Sequence, residues 1–323
     1  MMETVLGKSE GNWDGMTLMH EHIIASSPVM TKFFGDAWLD KELVVARSLE
    51  RLAIAKAAGV GAIVDGTALN LGRDVELIGR ISRESGMPIC ISTGMYYPGD
   101  FAFMRMPADV LASYFIDEVV DGIGESGVRP AIYKAAVERA QLTDEDVRYL
   151  HVAALVSMSC GLPIYVHTNA GYRNGLEAVD RLKEWGVPAE SIVVGHCLDS
   201  YKLDYPLELL QKGTYLCCDR IFRQGDGALK KADMVAELCM RGYADKLVLS
   251  HDYICCEDKW NGKYPNDRRP GSVHDDLRGL CVVADVVLPR LKERGISEDQ
   301  LRKITVDNPR RILAGKPKKG NRE

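Results

Sequence analysis

Thr17-Leu18-Met19-His20-Glu21-His22 is an apolar run that ends in three titratable side chains. Extended backbone sends alternate side chains to opposite faces, so His20 and His22 point the same way. Seven other short runs follow a similar plan, over 62–65, 88–93, 130–134, 163–168, 191–196, 214–219 and 246–252. With 17–20 they make eight candidate strands. Most are rich in Val, Ile, Leu or Cys and do not alternate with polar residues, as expected of parallel strands covered on both faces. Amphipathic stretches lie between them, over 41–58, 72–84, 107–125, 143–160, 174–186, 206–213 and 228–242, and a last long helix is predicted over 272–294. In the first, Val45, Leu49 and Leu52 form a stripe and Gly59 stops the helix. Eight strands alternating with helices predict an α/β fold, a (β/α)8 TIM barrel, with 1–323 as a single domain.

Composition narrows the function. Of the 323 residues, 46% are hydrophobic and 27% charged, which is ordinary for a soluble globular protein. Lys and Arg number 41 against 46 Asp and Glu, a formal charge of -5. A general nucleic-acid binder needs a basic face, and the one basic run, Lys316-Pro317-Lys318-Lys319, reads as a solvated tail. No stretch reaches the ~18 apolar residues of a membrane span. Residues 1–11 hold no apolar secretory core. The nine cysteines are odd in number and form no CxxC pair, so a reduced, cytoplasmic protein is expected. The expected partner is a small-molecule substrate, not nucleic acid or membrane.

The chemistry collects at strand ends. Strand two ends in Asp65-Gly66-Thr67, and strand three leads into Gly94-Met95-Tyr96-Tyr97. Strand four ends in Lys134, strand five in His167, strand six in Gly195-His196, strand seven in Asp219-Arg220 and strand eight in His251-Asp252. In a barrel these C-terminal ends share the face where active sites are built. Imidazole and carboxylate are ligands for divalent ions of the zinc type. Four histidines (His20, His22, His167, His196) and Asp252 exceed one tetrahedral site and suit two metals. Lys134 as an ammonium would be repelled there; carboxylated by CO2, it would become an anionic oxygen ligand able to bridge two metals. The other histidines read blandly: His151 within a helix, His274 at a helix start, and His251 as a neighbour of Asp252 that supports the loop. Gly59-Val60-Gly61 follows a helix and precedes a strand, the reverse of a dinucleotide loop.

Gly15-Met16-Thr17-Leu18-Met19-His20-Glu21-His22-Ile23 resembles the N-terminal signature of the phosphotriesterase family, within the amidohydrolase superfamily. Ala57-Ala58-Gly59-Val60, Gly72-Arg73-Asp74-Val75, Thr93-Gly94, Gly195-His196, Ser250-His251-Asp252-Tyr253 and Ile304-Thr305-Val306-Asp307-Asn308-Pro309 follow in family order. The resemblance implies two divalent metals, usually zinc, bridged by N6-carboxylysine and a hydroxide. By position, His20, His22 and Asp252 hold the buried metal, His167 and His196 the more exposed one, and Lys134 bridges them. Three features are similar to the lactonase branch: Arg220 where true phosphotriesterases carry a His, Tyr96 after Thr93-Gly94-Met95, and Ser250-His251-Asp252-Tyr253.

The implied activity is opening of lactones, sugar lactones or other anionic lactones among them, by the bridging hydroxide. Asp252 takes its proton and Tyr96 orients the carbonyl. The alternative is a phosphotriesterase, or another ester hydrolase, using the same site. Arg220 either pairs with Asp199 or meets an anionic substrate group, and Asp199 either takes that pair or orients His196. Phe222, Arg223, Tyr253, Trp260 and Lys263 are expected wall residues, with Arg223 and Lys263 favouring an acidic substrate. The family likeness also points to a homodimer.

Overall fold

The computed structural model describes residues 1–96, 101–258 and 275–314. Eight strands run parallel and in chain order: β1 (Met16–Ala25), β2 (Val60–Asp65), β3 (Ile89–Gly94), β4 (Ile132–Ala136), β5 (Ile164–His167), β6 (Ile192–Val194), β7 (Tyr215–Cys218) and β8 (Leu247–Leu249). A further piece, β9 (Ile254–Glu257), continues the eighth strand and pairs with β1, Ile254 lying opposite His22. Between β8 and β9 the chain crosses the seam: the Asp252 N–H donates to the His20 carbonyl at 2.9 Å, and the His22 N–H to the Tyr253 carbonyl at 2.8 Å. The result is the expected (β/α)8 barrel.

Seven of the expected helices form, with shifted ends: Lys41–Ala57, Val75–Ser85, Ala108–Val120, Asp144–Cys160, Gly175–Glu184, Asp204–Gln211 and Gly227–Met240. The second starts at Val75 rather than at 72 because the Asp74 carboxylate accepts from the Leu77 N–H and caps it. The long helix expected over 272–294 is corrected. Its first residues lie outside the described set, and the rest is a short 3-10 turn, Gly279–Cys281, a π turn, Val283–Val287, and a helix, Leu288–Glu293. Pro289 has no N–H to donate, and the Leu288 N–H before it bonds back to Val283.

Each strand is apolar on both faces, which explains the missing alternation. Val64, Ile132, Tyr165, Val193, Cys217 and Val248 point into the barrel and pack together with Met2 from an N-terminal hairpin (Met2–Thr4 against Gly7–Ser9). Their neighbours Ile63, Tyr133, Ile164, Val166, Val194, Leu216 and Leu249 point outward, into the layer under the helices. Stepping two residues on from the inward layer reaches Lys134, His167, Asp219 and Ser250, so period-2 geometry lifts the chemistry onto an apolar floor.

Candidate metal centre

β1 carries a bulge. From Leu18 to Glu21 it advances three residues while β2 advances two, from Ile63 to Asp65. The extra residue lets Met19 join the inner cluster and His20 still turn into the mouth. At β6 the inward position belongs to Gly195, where any side chain would collide with the Tyr165 hydroxyl. The chain then turns at His196. A Cβ at Gly66 would lie 2.6 Å from the His20 ring, so strand two also ends in the residue its neighbour requires.

Three strand-end residues sit in the left-handed region: His196 at φ 60°, Arg220 at 52° and Asp252 at 56°. Each costs about 1–3 kcal/mol of strain, so specific bonds must hold them. His196 N–H donates to Asp219 at 2.9 Å, and Asp252 N–H to the His20 carbonyl. The buried Lys231 ammonium holds the Asp219 and Arg220 carbonyls at 3.0 and 3.1 Å and bonds Asp199 at 2.6 Å.

Hydrogen bonds assign the four imidazoles of the mouth. Nδ1 of His20 and of His196 lie 3.0 and 2.9 Å from the two oxygens of the buried Asp219, which can only accept. Nδ1 of His22 lies 2.9 Å from the Thr67 hydroxyl, whose proton goes to the Ile24 carbonyl, so the ring is again the donor. His167 is turned round: its Nε2 donates to Glu138 at 2.6 Å. Four lone pairs therefore face inward. Nε2 of His22 and of His20 lie 3.2 and 3.5 Å from Asp252 Oδ1. His196 Nε2 and His167 Nδ1 face each other at 2.7 Å, and Lys134 Nζ lies 2.5 Å from His20 Nε2. Facing lone pairs in a buried site repel unless a proton or a cation is shared between them, and this set of imidazole and carboxylate donors fits divalent metal. His20, His22 and Asp252 converge as one candidate cluster, and His20, His196 and Asp219 as another.

Burial pushes the Lys134 ammonium down to about 8. Burial alone would raise the Asp252 carboxyl, but His20, His196 and His22 outweigh it and hold the group well below the usual range. Burial, then the neighbouring His196, pushes His167 down. Burial pushes the Tyr96 phenol up to about 12, so it stays a donor.

Arg220 joins Asp252 Oδ2 and Asp199 Oδ2, both at 3.0 Å. The pairing with Asp199 is present, but Asp199 does not orient His196; Asp219 does, because the left-handed turn at His196 aims its ring at β7. Tyr96 stands edge-on to His167, ring centres 5.0 Å apart. A cleft of ≈ 360 Å³ opens above, walled by Ala25, Leu71, Tyr96, Phe222 and Ile254, with His20, His22, Lys134, His167, Arg220 and Asp252 below.

Two expected wall residues stand elsewhere. Tyr253 is fully buried and bonds Arg51 and the Asp276 carbonyl. Arg223 is held by Asp276 and Asp285. Trp260, Lys263 and His274 lie outside the described residues. His251 supports the loop as expected, between Glu21 and the Val283 N–H, and His151 packs on Trp185. Glu21, Glu138, Tyr165 and Lys231 were not singled out by the sequence pattern. Glu21 had the one available signal: an acid between two inward histidines points outward, where it must be paired.

A model of the phosphotriesterase family matches residues 1–313. A phosphotriesterase homology protein of Mycobacterium tuberculosis is 34% identical over 310 residues, covering 93% of each chain. A solved structure of the phosphotriesterase from that organism superposes with a TM-score of 0.85 at 32% identity, covering 97% of this chain and 98% of the other. Another, titled as organophosphate hydrolysis engineered from a weak promiscuous lactonase template, gives a TM-score of 0.83 at 27% identity over 97% of this chain and all of the other. With the same barrel, and a histidine–carboxylate mouth suited to cations, this chain belongs to the phosphotriesterase family of metal-dependent hydrolases.

Proposed function

We propose that the chain is a binuclear hydrolase that opens lactones. His20, His22 and Asp252 would hold one divalent ion, His167 and His196 the second, with Lys134 carboxylated between them and zinc the ion that suits this mixed imidazole–carboxylate set. When bound, such a pair supplies Lewis acidity for a carbonyl or phosphoryl oxygen and a water nucleophile at neutral pH. Carboxylation of Lys134 needs a neutral amine, and an ammonium lowered to about 8 releases its proton far more readily than a solvated lysine.

The residues divide the rest of the work. Asp252 Oδ1 faces His20 and His22, while Oδ2 is held by Arg220. The carboxylate is thereby placed to take a proton from the attacking water and return it to the leaving oxygen. Tyr96 keeps its proton and is positioned at the cleft wall to donate to a carbonyl oxygen. Leu71, Phe222 and Ile254 exclude water from the apolar part of the substrate.

The observation that carries the lactone reading is the Arg220–Asp252 contact. Arginine does not give up its proton, so it cannot relay the Asp252 proton outward. A proton retained on Asp252 is useful where the leaving group is an alkoxide, which must be protonated, and a lactone keeps that alkoxide tethered within reach. An aryl phosphotriester releases a phenolate that needs no such help. Phosphotriester hydrolysis is the second reading, favoured by the likeness to the Mycobacterium tuberculosis phosphotriesterase.

A panel of neutral and anionic lactones run beside a chromogenic phosphotriester separates the two. Lactones are expected to give the higher kcat/KM; a phosphotriester value above every lactone overturns the preference. A 13C resonance acquired from labelled bicarbonate, and lost in Lys134→Arg, tests the carbamate.

A further inference from the structure

We infer that Glu138 is a positioning residue for His167: it fixes the ring so that Nδ1, not Nε2, faces the second cation. The inference rests on the reading of His167 as a metal ligand. Both oxygens of Glu138 are engaged by residues at the end of β5. Oε2 accepts from His167 Nε2 at 2.6 Å and Oε1 from Asn169 Nδ2 at 2.9 Å.

The carboxylate is also framed from behind. Asn174 is a buried amide whose Nδ2 donates to the carbonyls of Val137 and Arg139, at 3.1 and 3.0 Å, the two residues that flank Glu138. Its Oδ1 accepts from the Asn169 N–H at 2.8 Å. Val137 N–H in turn donates to the His167 carbonyl at 2.9 Å. One side chain thus ties both neighbours of Glu138 to the residue that holds its second oxygen. A surface acid serving only solubility has no such frame.

The effect on His167 follows. With its proton committed to Glu138, the ring turns the Nδ1 lone pair toward His196 Nε2, and Tyr96 limits its swing from another side. An anionic partner also makes the imidazole a stronger donor to a cation. The other three rings find their outer partners in Asp219 and Thr67, both buried. Glu138 is the partner that can be altered without opening the core, since 48% of its side chain is exposed.

The test uses the full chain, stripped of metal and titrated with Co2+ in bicarbonate buffer, with bound metal counted by elemental analysis and the Co2+ absorption spectrum recorded. The wild type is expected to take up two ions. Glu138→Ala is expected to keep the tighter one unchanged and to bind the second about 10–100-fold more weakly, with an altered absorption band. Glu138→Gln, whose carbonyl oxygen can still accept from Nε2, is expected to fall between them; this partial rescue separates positioning from simple loss of a side chain. If Glu138→Ala fails to fold, Glu138→Gln decides alone: weaker binding of the second ion supports the inference and wild-type binding overturns it. Two ions bound by Glu138→Ala at wild-type affinity, with an unchanged spectrum, overturn this inference and leave the metal reading standing. A wild type that takes up no Co2+ overturns that reading and this inference with it.

Discussion

On the seam side of the barrel, where β1 meets β8 and β9, the groups that hold His20, His22 and Asp252 lie mostly out of solvent. Asp219 and Thr67 fix the rings, and Glu21 fixes the chain that carries Asp252. On the far side, His167 leans on the half-exposed Glu138. Both sides offer inward lone pairs, but on the seam side every ring has a buried partner, whereas on the far side only His196, on Asp219, does and His167 relies on one at the rim. If two ions bind as proposed, the difference teaches which would be structural and which would be free to meet substrate. A cation held by over-determined ligands exchanges slowly, and one with a rim partner can shift its coordination as substrate arrives.

Complete metal removal should have the largest effect. Activity is expected to fall to background, in two phases. A chelator followed by elemental analysis should strip one ion early, from the His167 and His196 side, and the second much later. Loss of both ions in one phase would erase the proposed distinction. Next comes Asp252→Asn, which keeps the shape but cannot take a proton. It should lower kcat by roughly 10²–10⁴-fold. A variant within tenfold of the wild type would move the proton acceptor elsewhere.

The strand ends were legible because a single titratable residue closing a buried apolar run is hard to explain otherwise. Lys134 after Ala131-Ile132-Tyr133 and His167 after Ile164-Tyr165-Val166 are of that kind. The bulge between Leu18 and Glu21 left no mark, since its cause is the register with β2 rather than any residue within it. The eighth strand read as one run over 246–252, yet it breaks after Leu249 so that Asp252 can turn, and it resumes at Ile254. Asp219 was visible as a strand end, but its duty is to brace His20, 199 positions away, and such pairings appear only once the barrel closes. Glu138 lies in the loop after β4, and nothing in the sequence pattern marks it.

Glu21→Gln sharpens the comparison through stability. Glu21 is fully buried and accepts from the Ser250 hydroxyl at 2.7 Å, the His251 N–H and Nδ1 at 2.9 and 2.7 Å, and the Tyr253 N–H at 2.8 Å. Those donors replace the ladder that the broken eighth strand lacks. An amide turns one acceptor into a donor facing N–H groups, leaving at least one buried donor unsatisfied. That costs about 1–3 kcal/mol. Thermal unfolding should register a drop of about 2–4 °C per kcal/mol. Glu138→Gln, at the rim, should stay within about 0.5 kcal/mol of the wild type. Equal losses in the two variants would mean that the far side is braced as firmly as the seam.

Arg220→Gln should have the smallest effect on turnover, and it bears on the boundary between the two sides. The guanidinium spans Asp252 and Asp199, and it lines the cleft. If its task is to hold Asp252, the loss falls on kcat, by about tenfold for one charge-assisted bond of 1.5–3 kcal/mol partly replaced by the amide. KM then changes little, and neutral and anionic lactones suffer alike. If its task is to meet a substrate anion, the loss falls on KM and only for anionic lactones. The geometry favours the first outcome, because both faces of the fork are already occupied by carboxylates, and Lys231 pins Asp199 from below. A substrate anion would have to displace one of them, and displacing Asp252 would release the group proposed to move the proton. Steady-state kinetics with a matched pair of lactones, one neutral and one carboxylated, decide it: a rise in KM confined to the carboxylated member would reassign Arg220 to substrate recognition.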